Sequence, residues 1–286
     1  MKKSPRSRKR RRRPPENGNF FRVQPKEETM FFSSGTASQP QFFGNQRAQP
    51  IRVAQVPATV AKKKDPYLKR QKIKPGHIVT TDTKKLREMI VKALSDSKIL
   101  SPYISGKLKT LADSKKSPID VYDPTVFGGK YRKYANARGE KLDPSVSDDK
   151  IAETTQGFYE PKDNSIVLKT TSKFCHAMHE VIHSFSDPDW LKGRGGGSDL
   201  MEGLTQYFTD IVFSEQLGVE CKDHSYGKQL ACGKAFASAA GFEKTAQFFF
   251  NKDTSALDAV AAHLKMKPKK KLTALGGVCT LLKATP

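Results

Sequence analysis

Two histidines one helical turn apart, with a glutamate between them, are the residues of this chain best suited to chemistry. Residues 172–185 read Ser-Lys-Phe-Cys-His-Ala-Met-His-Glu-Val-Ile-His-Ser-Phe. Within them Phe174, Ala177, Met178, Val181, Ile182 and Phe185 recur at helical spacing and form one apolar stripe. His179 and His183 lie beside that stripe at i and i+4, so both imidazoles leave the same side of the helix. His-Glu-x-x-His on a helix offers two neutral nitrogens to zinc and sets Glu180 beside the metal, where a carboxylate acts as general base on water. The competing reading is a pair of packed histidines on an amphipathic helix.

Tetrahedral catalytic zinc takes three protein ligands and one open position. Residues 199–217 form a second amphipathic pattern, with Leu200, Leu204, Tyr207, Phe208, Ile211 and Val212 as its apolar face and Asp199 as its cap. Glu202 stands off that face in the first turn. The connection from Asp187 to Ser198 contains Gly193, Gly195, Gly196 and Gly197 and can turn the chain back so that the two helices pack side by side. Glu202 is the first choice for third ligand. Against it stands a helix-start glutamate held only by the helix dipole. Asp189 is the competitor: it follows His183 by six residues, although Ser186 and Pro188 fit that longer motif poorly. His176, on a neighbouring face of the helix one turn before His179, reads as a supporting or surface residue.

Other elements must position these side chains. Asp82 caps a helix over 83–95, and Ser101-Pro102 opens another to about Ala112. Residues 117–150 hold Pro118, Pro124, Gly128, Gly129, Gly139 and Pro144, which predicts short strands and surface loops. Gly157–Glu160 and Ile166–Lys169 flank Pro-Lys-Asp-Asn-Ser and predict a hairpin. A further helix runs from about Tyr226 to Ala240 and stops at Gly241. Phe248, Phe249 and Phe250, with Leu257, Val260, Ala261 and Leu264, read as core. Cys175, Cys221, Cys232 and Cys279 read as small buried apolar residues of a reducing compartment, since no Cys-x-x-Cys pair is present.

Composition divides the chain in two. It has 286 residues, 51 Lys+Arg against 29 Asp+Glu and a net charge of +22, with 36% hydrophobic residues. Residues 1–75 account for 20 of the basic and 4 of the acidic residues. Lys2, Lys3, Arg6 and the run from Arg8 to Arg13 form a polybasic block of the kind that stays solvated and adheres to polyanions. The rest of this segment is rich in Pro, Gln, Ser, Asn and Gly, so residues 1–75 are expected to be a disordered tail. Its Phe pairs, at 20–21, 31–32 and 42–43, suggest a docking segment for a carrier, or chance within a biased stretch. Residues 76–286 are expected to be one folded domain. No apolar run is long enough for a transmembrane helix, and no secretory signal pattern is present.

The pattern His179-Glu180-x-x-His183, with Glu202 in Glu-Gly-Leu-Thr-Gln-Tyr-Phe-Thr and a hairpin before it, resembles the gluzincin branch of zinc metallopeptidases. The resemblance covers residues 155–215 best. It implies an α+β, zincin-like metallopeptidase fold with a small mixed sheet, an active-site helix beneath it and a helical C-terminal half. One Zn2+ per chain is implied, held by His179, His183 and Glu202, with Glu180 as general base. It implies that Ile166–Lys169 is the edge strand on which an extended substrate pairs. It also implies an oxyanion donor near the start of the next helix, with Tyr226 favoured and His224 the alternative. The family's thermolysin-like members carry Asp at the position of Gln206, so another residue must orient a histidine here; Asp210 stands too far along the helix to be an obvious substitute. No aminopeptidase-type Gly-Ala-Met-Glu-Asn precedes the helix, which favours an endopeptidase.

The tail sequences Phe-Phe-Ser-Ser-Gly and Gln-Phe-Phe-Gly-Asn-Gln-Arg resemble N-termini of proteins encoded with phage-tail-like extracellular contractile injection systems. That resemblance implies a toxin or effector that leaves a bacterial cytoplasm through such a carrier and cleaves proteins in a target cell. Two alternatives use the same residues differently. One is a polyanion- or nucleic-acid-binding protein, nuclear or cytoplasmic, with an inactive zincin body. The other is a zinc hydrolase of a non-peptide bond.

Overall fold

The Asp82 carboxylate accepts a hydrogen bond from the Lys85 amide at 3.0 Å and starts the first long helix where the apolar period begins. A computed structural model describes residues 65–139, 142–186, 197–221, 227–266 and 278–283. In chain order the described elements are α1 (Tyr67–Arg70), α2 (Thr83–Asp96), α3 (Ser101–Ala112), β1 (Ile119–Tyr122), α4 (Pro124–Ala137), α5 (Asp148–Thr154), β2 (Gly157–Glu160), β3 (Ser165–Lys169) and α6 (Phe174–Phe185). They continue with α7 (Gly197–Leu217), α8 (Gly227–Ala240), α9 (Phe242–Asn251), α10 (Ser255–His263) and α11 (Val278–Lys283). The result is an α+β molecule, mostly helical, with one small sheet.

That sheet has the order β1-β3-β2. β1 runs parallel to β3, and β2 antiparallel to it through the expected hairpin turn. Ile166, Leu168 and Tyr159 face the main core with α6, whereas Val167 and Phe158 face a second cluster with Phe127 and Ala152 from α4 and α5. Both faces are therefore covered, which is why β3 reads as an uninterrupted apolar run rather than an alternating one. β3 is thus the central strand, which corrects the expectation that Ile166–Lys169 forms the edge. The edge near α6 is β2.

Two further expectations are corrected. Residues 117–150 contain helices α4 and α5 as well as strand β1. Pro124 occupies the first turn of α4, where a proline costs no hydrogen bond. Gly128 is a contact residue: a Cβ there would stand 2.0 Å from the Asp148 carbonyl oxygen at the start of α5. Gly128 and Gly129, read as loop punctuation, lie in α4 and serve helix packing instead, whereas Gly139 does stand in a turn, at φ +75°. The folded body also begins before residue 76, because Leu68 and Ile73 are buried in its core. Residues 1–64, which hold most of the expected tail, lie outside the described residues.

The four cysteines are paired, which overturns the reading of free thiols. Cys175 bonds to Cys221 and Cys232 to Cys279, with Cα–Cα distances of 5.9 and 5.2 Å. One link ties α6 to the segment after α7, the other α8 to α11. Loops of 46 and 47 residues are closed, each stabilising the fold by about 4 kcal/mol in the chain-entropy picture.

Candidate metal centre

Helix α6 is held at both ends. At its start the Phe174 and Cys175 amides donate to the carbonyls of His77 and Pro75 at 2.6 and 3.0 Å. The imidazole of His176 turns back and accepts from the Lys173 amide at 3.2 Å. His176 therefore caps its own helix. At the other end the Lys107 ammonium bonds the Phe185 carbonyl, and the Ser186 hydroxyl donates to the His183 carbonyl at 2.7 Å. The stripe Phe174, Ala177, Met178, Val181, Ile182 and Phe185 is buried throughout. With one face fixed in the core, the neighbouring face must present His179 and His183 toward α7.

The backbone of α7 comes into direct contact with that of α8. A Cβ on Gly203 would stand 2.0 Å from the Gln229 carbonyl oxygen, and one on Gly233 would stand 2.4 Å from Gly203. Only glycine permits that approach. It fixes the axial position of Glu202, the adjacent residue.

Glu202, not a solvated helix-start glutamate, meets both histidines. Its Oε2 lies 3.2 Å from His179 Nε2 and 2.9 Å from His183 Nε2. One ligand atom from each of the three residues falls within 4.8 Å of the others. Both rings are nearly closed off, while the Glu202 side chain keeps 32% of its surface exposed, so the cluster is open on one side. Asp189, the competing third ligand, lies outside the described residues, as do Tyr226 and His224.

The second nitrogen of each ring settles which tautomer is present. The Thr205 hydroxyl donates its one proton to the Met201 carbonyl at 2.8 Å, so toward His183 Nδ1, at 3.2 Å, it accepts. Gln206 Oε1 stands 3.1 Å from His179 Nδ1. The amide cannot be turned round, because its Nε2 faces two acceptors, Asp210 Oδ1 at 2.9 Å and the Cys221 carbonyl at 3.4 Å. In their neutral form both imidazoles therefore carry hydrogen on Nδ1 and direct an Nε2 lone pair at the same carboxylate oxygen. Three acceptor atoms converging within contact distance repel one another. A single proton relieves one of the two contacts; a cation relieves both. The donor set, two imidazole nitrogens and one carboxylate oxygen with supported outer nitrogens, fits a metal ion.

Charge and burial act differently on the two glutamates. Burial alone would raise the Glu202 carboxyl; protonation of the rings, with the charge on His183 first and Nε2 hydrogens on both, outweighs it and holds Glu202 well below the usual carboxylate range, so the carboxylate draws a positive charge, proton or cation, into the gap. Glu180 lies between the ligands and is buried. Burial pushes its carboxyl up to about 7, with Glu202 adding to the push and His179 and the Tyr159 amide opposing it. That amide belongs to β2, so the edge strand contacts Glu180 directly. Gly157 makes room: a Cβ there would stand 3.0 Å from Glu180 Cγ and 2.8 Å from Leu168 Cδ2.

The structure brings together His179, Glu180, His183 and Glu202. Sequence reasoning passed over Thr205 and set Asp210 aside as too distant. The signal for Asp210 was present, since Glu202, Gln206 and Asp210 recur every fourth residue and so form one row along α7. Among the described residues no helix is long and apolar enough to cross a membrane. No protein-family model, curated protein or solved structure gives a match to the chain.

Proposed function

We propose that this chain is a zinc-dependent endopeptidase of zincin-like architecture, with His179, His183 and Glu202 as zinc ligands and Glu180 as general base. The carrying observation is the convergence of two lone-pair-bearing imidazoles and one carboxylate oxygen beside a buried fourth residue, Glu180. The small mixed sheet over α6, with helices α7 to α11 following, supports the architecture.

A zinc ion in this site supplies Lewis acidity, polarising a carbonyl and acidifying water. The remaining work falls to the chain. Thr205 and Gln206 hold the two rings in the tautomer that leaves Nε2 available. Glu180 takes a proton from water and returns it to the departing amine, a role helped by a carboxyl whose pKa lies close to neutrality. β2 leaves one side without a strand partner among the described elements, and an extended peptide laid along it lies beside Glu180. This edge replaces Ile166–Lys169 as the substrate strand.

The N-terminal resemblance to injection-system cargo supports delivery of the enzyme as an effector that cleaves proteins in a target cell. The two disulfides restrict that reading, because they persist in an oxidising compartment of the target cell and not in its reducing cytosol. The test compares wild type with Glu180→Gln, a neutral replacement that leaves all three ligands. Zinc content is expected to stay at one ion per chain in both proteins. In a target-cell lysate only the wild type is expected to create new protein termini, read by mass spectrometry. Equal cleavage by the variant would remove Glu180 from the mechanism.

A further inference from the structure

The row of residues beyond Glu202 ends on a carboxylate that touches no ligand. Asp210 is 4% exposed, and its Oδ1 accepts from Gln206 Nε2 at 2.9 Å and from the Cys221 amide at 3.1 Å. Its Oδ2 is buried with no hydrogen-bond partner among the described residues. An acid in this position does little for the core, because one oxygen is desolvated without compensation. What it does do is hold one end of the Gln206 amide. The Cys221 carbonyl accepts from the same Nε2 at 3.4 Å, so residue 221 grips both partners through its backbone. Its side chain is tied by the disulfide to Cys175, one turn before His179 on α6.

We propose that Gln206 and Asp210 are positioning residues that select the Nδ1-protonated tautomer of His179 and thereby set the metal affinity of the site. The physical step is a choice between two ends of one amide. With Asp210 in place, Nε2 is engaged and Oε1 must face His179, which keeps the hydrogen on Nδ1. Without that acceptor the amide can rotate about its last bond and offer Nε2 to the ring. The ring must then accept at Nδ1 and carry its hydrogen on Nε2, the atom that would bind the metal. The inference rests on the zinc-site reading, yet it makes a statement about the ion-free protein as well.

Two measurements test it. Long-range 1H–15N spectra of the ion-free protein report which nitrogen of His179 carries hydrogen. Competition against a chromogenic chelator reports Zn2+ affinity. Asp210→Ala and Gln206→Met are expected to mix the tautomers and weaken Zn2+ binding about tenfold or more, the range seen when such supporting partners are removed. Asp210→Asn keeps an acceptor oxygen for Gln206 and Cys221 and is expected to restore binding to within about threefold. The double variant Cys232→Ala/Cys279→Ala loses a cross-link remote from this row and is expected to bind as wild type does. Wild-type tautomer and affinity in folded Asp210→Ala, or in Gln206→Met should the first not fold, would overturn the proposal. So would a loss of affinity that merely follows stability across all variants, the control included. If wild type takes up no Zn2+, the metal reading fails, while the ion-free spectra still decide whether Asp210 sets the tautomer.

Discussion

A buried carboxylate held by two hydrogen bonds and denied a third has a measurable consequence for stability. Burial, with Glu220 adding and Gln206, the Cys221 amide and Lys234 opposing, raises the Asp210 carboxyl to about 6, from an ordinary value near 3.8. A raised acid favours the folded state most when protonated in both states. Its contribution is therefore complete below about pH 4 and is lost as pH rises through about 6, a swing of about 2–3 kcal/mol for such a shift. Asp210→Asn cannot titrate. Relative to wild type, ion-free Asp210→Asn should gain stability between pH 4 and pH 7 by up to about that amount. Urea unfolding of both proteins across that range checks it, and a difference that does not change with pH would remove the assignment. The same substitution thus separates two roles of one residue: its charge weakens the fold near neutrality, while its acceptor oxygen steadies Gln206.

At the scale of elements, glycines and hydrogen-bonded ends decide where the functional side chains stand. Gly157 on β2 leaves only enough room for the Glu180 side chain beneath the strand. Gly157→Ala brings a methyl group to 2.8 Å of Leu168 Cδ2, 3.0 Å of Glu180 Cγ and 3.2 Å of the Val167 carbonyl oxygen. Such crowding costs about 1–3 kcal/mol, and the neighbours that can give way are the Leu168 and Glu180 side chains. Zn2+ affinity should hold within about twofold, because the three atoms nearest the new methyl belong to none of the proposed ligands, whereas kcat/KM should fall by about tenfold or more. A parallel loss of zinc would show that the strand supports the ligands rather than the base. The position of these elements was only partly readable beforehand. His179, His183 and Glu202 were legible because helical periodicity is local, and a residue on a helix face keeps its place whatever packs against it. Helices α2 and α3 and the β2–β3 hairpin were legible for the same reason. Helix α4 was not, since Gly128 signals a turn until the backbone of α5 is seen against it. Nor was strand order legible: which member of a hairpin lies at the edge depends on β1, a distant segment that pairs with β3.

Over the whole molecule, covalent links join the candidate metal centre to its surroundings unequally. The pairings of Cys175 with Cys221 and of Cys232 with Cys279 depend on which helices meet, so a list of four cysteines spaced far apart could not reveal them. The two loops are almost equal in length, at 46 and 47 residues, and loop-closure entropy assigns them nearly equal stabilisation of about 4 kcal/mol. Their relation to the metal differs. Cys175 precedes His179 by one turn, and the backbone of Cys221 grips Asp210 and Gln206. Cys232 and Cys279 link α8 and α11, which supply no ligand. A bound ion raises stability by RT ln(1 + [L]/Kd), so the increment produced by a fixed excess of Zn2+ measures affinity separately from the fold's own stability. Removing either link should lower the midpoint of unfolding of the ion-free protein to a similar degree. With Zn2+ added, Cys232→Ala/Cys279→Ala should recover the full wild-type increment. Cys175→Ala/Cys221→Ala should recover less, by about 1.4 kcal/mol for each tenfold loss of affinity. Equal increments in both variants would mean that the first disulfide is a cross-link and nothing more, and that the hydrogen bonds of residue 221 survive without it.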